Sequence, residues 1–297
     1  MSAYPRWSHT TTTGRRYTWP GEAESWPSVT TILGVLNKPA LVPWSARTAA
    51  EYVVDNWQTL HDVYDHTRDA TARAAVVDLV KGAPARQRDA RALDGSRVHD
   101  MAESLAAGAD LSGIPADMRS WAEGLARWMD DWQPEFHACE FQVFSRTGRY
   151  AGTCDFIARI PAIDRDGLVI GDYKTSRPNP RTGHGIYPEV ALQLAAYRFG
   201  EWMAGDAGVA EPIPAVSGAV AVNIGPGVAR VVPVSADEDD YDAFLALRAV
   251  WEWRQRKDRV SGPLLIDYSP DDPFAGLPGS GVPKEEKHGR GTLSQSA

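Results

Sequence analysis

The hydrophobic spacing of this chain changes once, near residue 135, and that change limits what it can fold into more than any other feature. From about Ser28 to that point apolar residues recur at helical intervals. After it come short alternating runs bounded by turn residues, which read as strands. The last helical stretch holds Trp121, Leu125, Trp128 and Trp132 on one apolar face, a pattern of core packing. Strands follow over 140–145, 150–160 and 167–174, the last opened by an Asp166-Gly167 turn. A long helix from Pro188 to about Met203 comes next, then strands over 216–224 and 229–234 and a helix from Asp237 to about Val260. The order β-β-β-α-β-β-α behind a helical N-terminal half calls for an α/β fold, a mixed sheet flanked by helices.

Residues 1–27 are aromatic and polar, with threonines at 10–13, and predict an extended, loosely packed lead-in. Ser28 is placed to cap a short helix through Val29, Ile32, Leu33 and Leu36. Pro43 suits the first turn of a helix reaching about Trp57. The helical pattern continues to about Lys81, is punctuated by Gly82 and Pro84, and resumes over 85–107. The chain thus divides into a lead-in at 1–27, a helical region at 28–135, an α/β core at 136–262 and a tail at 263–297. From Ser269 onward five glycines and four prolines predict that the tail is disordered.

The 297 residues carry 31 Lys+Arg against 39 Asp+Glu, a formal net charge of −8. That balance excludes a uniformly basic nucleic-acid coat, so a polyanion must meet a local basic surface. One candidate is 81–97, where Lys81, Arg86, Arg88, Arg91 and Arg97 outnumber Asp89 and Asp94. Another is the loop over 175–187, with Arg177, Arg181 and His184 and no acidic residue. Two cysteines, Cys139 and Cys154, are too few for a four-thiolate cluster and read as buried strand residues. The first residues have no apolar secretory core and no stretch reaches the length of a membrane span, which predicts a cytoplasmic protein without a membrane partner.

The residues that carry chemistry lie between 95 and 197. Asp172 and Lys174 stand two apart on a strand and point the same way. Asp155 joins them if the second and third strands are neighbours. Two carboxylates beside a lysine suit a hard divalent cation and the phosphodiester it polarises. Set against this, an Asp-x-Lys at a strand end is commonly a solvated ion pair of small value. On the following helix Glu189, Gln193 and Tyr197 form one polar stripe, Gln193 suited to hold a phosphate or base edge and Tyr197 to stack or donate. His99 follows Gly95 by one helical turn, and Gly95 leaves room for a close approach on that face.

Four motifs occur in order: Gly-x-x-x-His (Gly95 to His99), Gly-x-x-Asp (Gly152 to Asp155), Asp-Tyr-Lys-Thr-Ser (Asp172 to Ser176) and Gln-x-x-x-Tyr (Gln193 to Tyr197). Together they resemble the RecB-like exonuclease branch of the PD-(D/E)XK nucleases, which includes CRISPR-associated and phage exonucleases. The opening Pro27-Ser-Val-Thr-Thr-Ile-Leu and the later Lys38-Pro-Ala-Leu-Val-Pro-Trp44 resemble the lead-in of phage members. The resemblance implies a restriction-endonuclease-like sheet and a Mg²⁺- or Mn²⁺-dependent DNA exonuclease of phage or bacterial recombination and repair. It makes Asp155 and Asp172 metal ligands, with His99 and the Tyr173 carbonyl as further ligands, and Lys174 the catalytic lysine. Gln193 and Tyr197 would complete the active-site signature, and Glu140 matches an upstream acidic residue of that branch. Arg97, Arg177 and Arg181 are the DNA-contact candidates.

Two departures stand out. Cys154 replaces the proline of the literal Pro-Asp dipeptide, and the four cysteines that hold an iron–sulfur cluster in CRISPR-associated relatives are missing. The family context implies a single-strand annealing recombinase as partner, and some members form ring oligomers. A catalytically inactive DNA-binding or assembly module on the same fold is the alternative. The intact set Asp155, Asp172 and Lys174 speaks for the enzyme.

Overall fold

The computed structural model describes residues 7–256, apart from 20–21, 67, 111–112, 179 and 206–208. The tail expected over 263–297 and the end of the last expected helix lie outside the described residues. Among the described residues, 7–251 form one packed unit.

The aromatic lead-in is more ordered than its composition suggests. It folds as an antiparallel sheet of three short strands, β1 (Ser8–Thr11), β2 (Gly14–Thr18) and β3 (Ser25–Pro27). Tyr17 and Trp26 are buried with Phe144, Ala151 and Ala204. Trp19 stands edge-on to Phe144 at 5.0 Å, and the Tyr17 and Thr153 hydroxyls share a hydrogen bond of 2.8 Å. Strands this short are not stable alone; the rings are ordered by the surface they find in the larger sheet. Ser28 then caps α1 (Val29–Leu33), its hydroxyl accepting the Thr31 N–H at 2.9 Å.

The helical region forms α2 (Leu41–Asp55), α3 (Trp57–Asp65) and α4 (Ala70–Ala106). Contrary to the expected punctuation, α4 runs 37 residues, about 55 Å, straight through Gly82 and Pro84. Pro84 removes the backbone donor that would bond the Val80 carbonyl, a loss borne within a helix that packs on α2 and α3. Ala83 and Pro84 are buried, and Arg86 folds back over Gly82 to donate to the Leu79 carbonyl at 2.7 Å. The break that does occur lies between α3 and α4, where Arg68 takes a left-handed conformation (φ 53°) and Asp69 caps Ala72.

After α5 (Arg119–Trp132) come β4 (Glu135–Ser145), β5 (Tyr150–Arg159), β6 (Val169–Lys174), α6 (Glu189–Arg198), β7 (Trp202–Ala204), β8 (Ala210–Pro212), β9 (Gly218–Gly225), β10 (Val228–Val234) and α7 (Glu238–Arg254). Seven strands form one sheet in the order β10-β9-β6-β5-β4-β7-β8, with β6 and β9 parallel and the other pairs antiparallel. One face packs on α1, α6 and α7 through Ile32, Leu194 and Phe244. The other packs on α4 and α5 through Val98, Leu125 and Trp128. Leu125 and Trp128 of the tryptophan-rich face are buried, and Trp121 and Trp132 flank them. This is the mixed, helix-flanked α/β sheet expected.

The helix expected to reach Met203 ends at Arg198. A Cβ on Gly200 would lie 2.3 Å from Val143, so the chain hugs the sheet there. The next residues then form β7 between β4 and β8, Trp202 opposite Phe144. Backbone proximity to the sheet overrides a helical pattern that is otherwise continuous.

Candidate functional site

The site is built where β4 and β5 lose their alternation. Residues two apart on a strand share a face. Yet Cys139 packs toward α5 while Phe141 packs toward α6, and their register partners Phe156 and Cys154 divide the same way. Both strands therefore change face together at Glu140 and Asp155, and β4 has a further irregularity between Phe136 and Ala138. Glu140 makes that step in a left-handed conformation (φ 46°), which costs an ordinary residue about 1–2 kcal/mol. The β5–β6 ladder ends nearby, at Phe156 opposite Gly171, and one step further that register would set Asp155 across from Asp172.

His99 reaches this point from the C-terminal half of α4. Its Nδ1 lies 3.4 Å from Asp155 and 3.7 Å from Glu140, and ligand atoms of His99, Glu140 and Asp155 all fall within 4.8 Å of one another. One imidazole nitrogen and two carboxylates at the sheet surface are a donor set that fits a hard divalent cation. The other Asp155 oxygen accepts the Tyr173 backbone N–H at 2.5 Å. That bond ties the cluster to a second group on β6 and α6. There Asp172 is ion-paired with Lys174 and accepts from the Gln193 amide at 2.6 Å, while the Gln193 carbonyl accepts from Lys174 at 3.3 Å. Gln193 thus fixes both members of the Asp172–Lys174 pair.

Charge and burial oppose one another throughout. Burial disfavours the His99 imidazolium, but Asp155 and Glu140 outweigh it and raise its pKa to about 11. Burial would also raise Asp155, yet His99, Lys174 and the Tyr173 N–H hold it below the usual carboxylate value. Asp172 goes the other way, to about 6, because burial and the neighbouring Asp155 exceed what Lys174 returns. Burial likewise lifts Glu140. Lys174 is desolvated but lies above its ordinary value because Asp172 and Asp155 surround it.

Tyr197 takes a different position from the one its stripe suggests. It is buried, and a Cβ on Gly152 would stand 2.7 Å from its ring. The glycine of Gly-x-x-Asp and the tyrosine of Gln-x-x-x-Tyr therefore meet, and no surface remains on Tyr197 for stacking a base. Tyr173 points away from Asp172 and Lys174, its ring 5.0 Å from Phe156 and 6.0 Å from His99. Gly95 faces Thr175, whose hydroxyl would lie 3.4 Å from an added Cβ, an ordinary contact that a larger residue would also allow. Cys154 is buried and Cys139 partly so.

The basic candidates stand outside this cluster. Arg97 is held by Asp117 at 2.7 Å, and Arg177 and Arg181 lie exposed in the loop after β6. In the 81–97 stretch Arg88 pairs with Asp89, Lys81 with Asp78, and Arg91 lies over the Trp44 ring at 5.9 Å. Lys38, Tyr187 and Glu189 line a cleft beside Lys174 that motif reading did not single out. Its walls come from segments far apart in sequence, so no local spacing signals it. Among the described residues no helix is long and apolar enough to cross a membrane.

The family model of the PD-(D/E)XK nuclease superfamily matches residues 58–260, which include every member of the cluster. The chain belongs to the PD-(D/E)XK nuclease superfamily. Eleven chains of solved structures match it. One of them, titled the crystal structure of SSO0001, is 15% identical over 78% of this chain and 84% of its own, with a TM-score of 0.31. Among curated proteins none matches. Membership in the PD-(D/E)XK superfamily makes this chain a metal-dependent nuclease by family, and the carboxylate and histidine donors at the β4–β5 step supply an acidic site of that kind.

Proposed function

We propose that the chain is a Mg²⁺- or Mn²⁺-dependent deoxyribonuclease that degrades DNA from its ends in recombination or repair of phage or bacterial DNA. The observation that carries this reading is the convergence of His99, Glu140 and Asp155 within 4.8 Å, joined through the Tyr173 N–H to the Asp172–Lys174–Gln193 group. Asp155, Glu140 and His99 would hold the cation, with Asp172 and the Tyr173 carbonyl completing its oxygen ligands. When bound, such a cation supplies positive charge to the phosphodiester and acidifies the attacking water.

The chain's own groups do the rest. Lys174, held on two sides by Asp172 and Gln193, offers a fixed ammonium to the charge that grows on the phosphate oxygens. Because the pair is already oriented, little reorganisation is needed as the reaction proceeds. Gln193 keeps the lysine and the carboxylate in register, and Tyr197 supports the strand beneath them by filling the space at Gly152. Arg177 and Arg181, with Arg97 once it leaves Asp117, would contact the DNA backbone. In such a pathway the partner is a single-strand annealing recombinase, and the place of action is the cytoplasm.

The test uses end-labelled single- and double-stranded DNA, linear and circular, with Mg²⁺, Mn²⁺ or EDTA. Linear substrates are expected to shorten from the labelled or unlabelled end with metal only, while circles persist. A folded protein that cuts neither form with either metal would overturn the reading. Loss of circles would retain the nuclease and remove the exonuclease.

A further inference from the structure

A cleft of about 260 Å³ opens beside Lys174, and His99, Glu140 and Asp155 take no part in its lining. One wall is α1 and the residues after it, including Leu33 and Lys38. The other is the first half of α6, with Glu189 and Gln193. The loop after β6 adds Tyr187, which is 61% exposed. A single ion pair crosses from wall to wall, Lys38 Nζ to Glu189 Oε1 at 3.1 Å, and the Lys38 side chain is half exposed.

Each of these features has the same chemical meaning. The volume lies just under the roughly 300–1,000 Å³ of small-molecule sites, which admits one nucleotide unit and not a stacked run. An exposed aromatic face beside an apolar wall suits a base, and stacking on such a ring is indifferent to base identity. An exposed lysine–glutamate pair is weak and readily exchanged, whereas a terminal phosphate monoester brings more negative charge to the same ammonium than Glu189 does. Lys174 and Gln193 belong to both the cleft and the catalytic group, so whatever fills the cleft adjoins the reacting phosphate.

We propose that this cleft is the subsite for the nucleotide next to the scissile phosphate, with Tyr187 stacking on the base and Lys38 leaving Glu189 to take the nucleotide's outer phosphate. The assignment rests on the nuclease reading for its place in the reaction, but the binding it claims is independent of hydrolysis.

The experiment is calorimetric titration of the full chain with deoxyadenosine 5′-monophosphate and with deoxyadenosine, both in EDTA. The wild type is expected to bind the monophosphate about five-fold or more tighter than the nucleoside. Lys38→Ala should erase that difference. Glu189→Gln, which releases Lys38, should tighten the monophosphate and leave the nucleoside unchanged. Tyr187→Ala should weaken both about five-fold or more. Both Lys38 and Tyr187 are exposed, and near-ultraviolet circular dichroism checks that their variants keep the native packing. Asp155→Asn, outside the cleft, should abolish DNA hydrolysis and keep monophosphate binding. No binding to the wild type up to about 10 mM, or equal binding by all cleft variants, would overturn the assignment. Wild-type protein that discriminates the two ligands as described but cuts no DNA would remove the nuclease reading alone. Wild-type protein that cuts DNA with a KM unmoved by Tyr187→Ala would remove the subsite alone.

Discussion

The Asp155 carboxylate accepts the backbone N–H of Tyr173 at 2.5 Å, one residue from Asp172 and one from Lys174. A side chain from β5 thus takes a donor on β6 just past the end of the ladder between them, and orients the carboxylate whose other oxygen faces His99. Asp155 is therefore both a structural clamp between the strands and the centre of the cation donor set.

Asp155→Asn separates these roles, because the amide keeps an oxygen for the Tyr173 N–H and loses the charge. Titration of wild type with Mn²⁺ is expected to raise the thermal unfolding midpoint, by an increment equivalent to about 2.7 kcal/mol at a hundred times the dissociation constant. Asp155→Asn should show no such rise. Glu140→Gln should need at least the roughly 10–100-fold higher metal that loss of a supporting group costs. Identical metal titrations in all three proteins would refute the donor set.

Lys174→Met removes the ammonium and keeps the length of the side chain. The turnover number is expected to fall about 10²–10³-fold, the usual effect of removing one preorganised charge donor, while the Mn²⁺-dependent thermal shift persists. Activity within a factor of a few of wild type would show that the Asp172–Lys174 pair is only structural.

Gly152→Ala introduces a Cβ 2.7 Å from the Tyr197 ring. Overpacking of this kind should destabilise the fold by about 1–3 kcal/mol in urea unfolding. Tyr197→Leu on the same chain should recover part of that loss, giving a coupling energy of about 0.5–3 kcal/mol in a double-mutant cycle. Strictly additive effects would mean that the two residues do not meet.

The pH dependence of the metal-free protein follows from His99. Asp155 and Glu140 lift its folded pKa to about 11, against an ordinary value of 6.5. The folded state then holds this proton more tightly than the unfolded chain does, so the stabilisation is complete below about pH 6.5 and is lost as pH rises toward 11. In EDTA the unfolding free energy is expected to fall between pH 7 and pH 10, and His99→Gln should flatten the slope. Asp172, raised to about 6, adds a loss of the same sign between its ordinary value near 3.8 and pH 6. A wild-type curve that is flat or rising over pH 7–10 would refute the His99 pairing.

Much of this arrangement was legible because it rests on local patterns. Strands β5 and β6 announce themselves as short apolar runs bounded by turn residues, but their adjacency is conditional in the sequence and comes from the ladder that sets Phe156 opposite Gly171. Asp155, Asp172, Lys174 and Gln193 could be nominated from spacing and order alone. The long-range features could not. Nothing in the residues around Glu140 marks a left-handed backbone, and its approach to His99 depends on α4 crossing the sheet. Pro84 reads as a break because the packing that carries α4 past it comes from α2 and α3, earlier in the chain. Tyr197 sits on a polar stripe by spacing and is buried in fact, since a strand glycine more than forty residues away leaves it a berth. The aromatic lead-in gives no periodic signal, and its order depends on Phe144 and Thr153.

The shared step at Glu140 and Asp155 also limits how this strand pair can change length. Deleting one residue from β4 alone would restore alternation around Glu140 but slip the strand's register against β5, so that every residue on one flank of the deletion meets a new cross-strand partner. Deleting one from each strand in step would preserve the cross-strand partners and erase the seat for both carboxylates. Insertions and deletions here are thus either ruinous to packing or silent to packing and fatal to the site, so the two strands must keep their lengths as a matched pair.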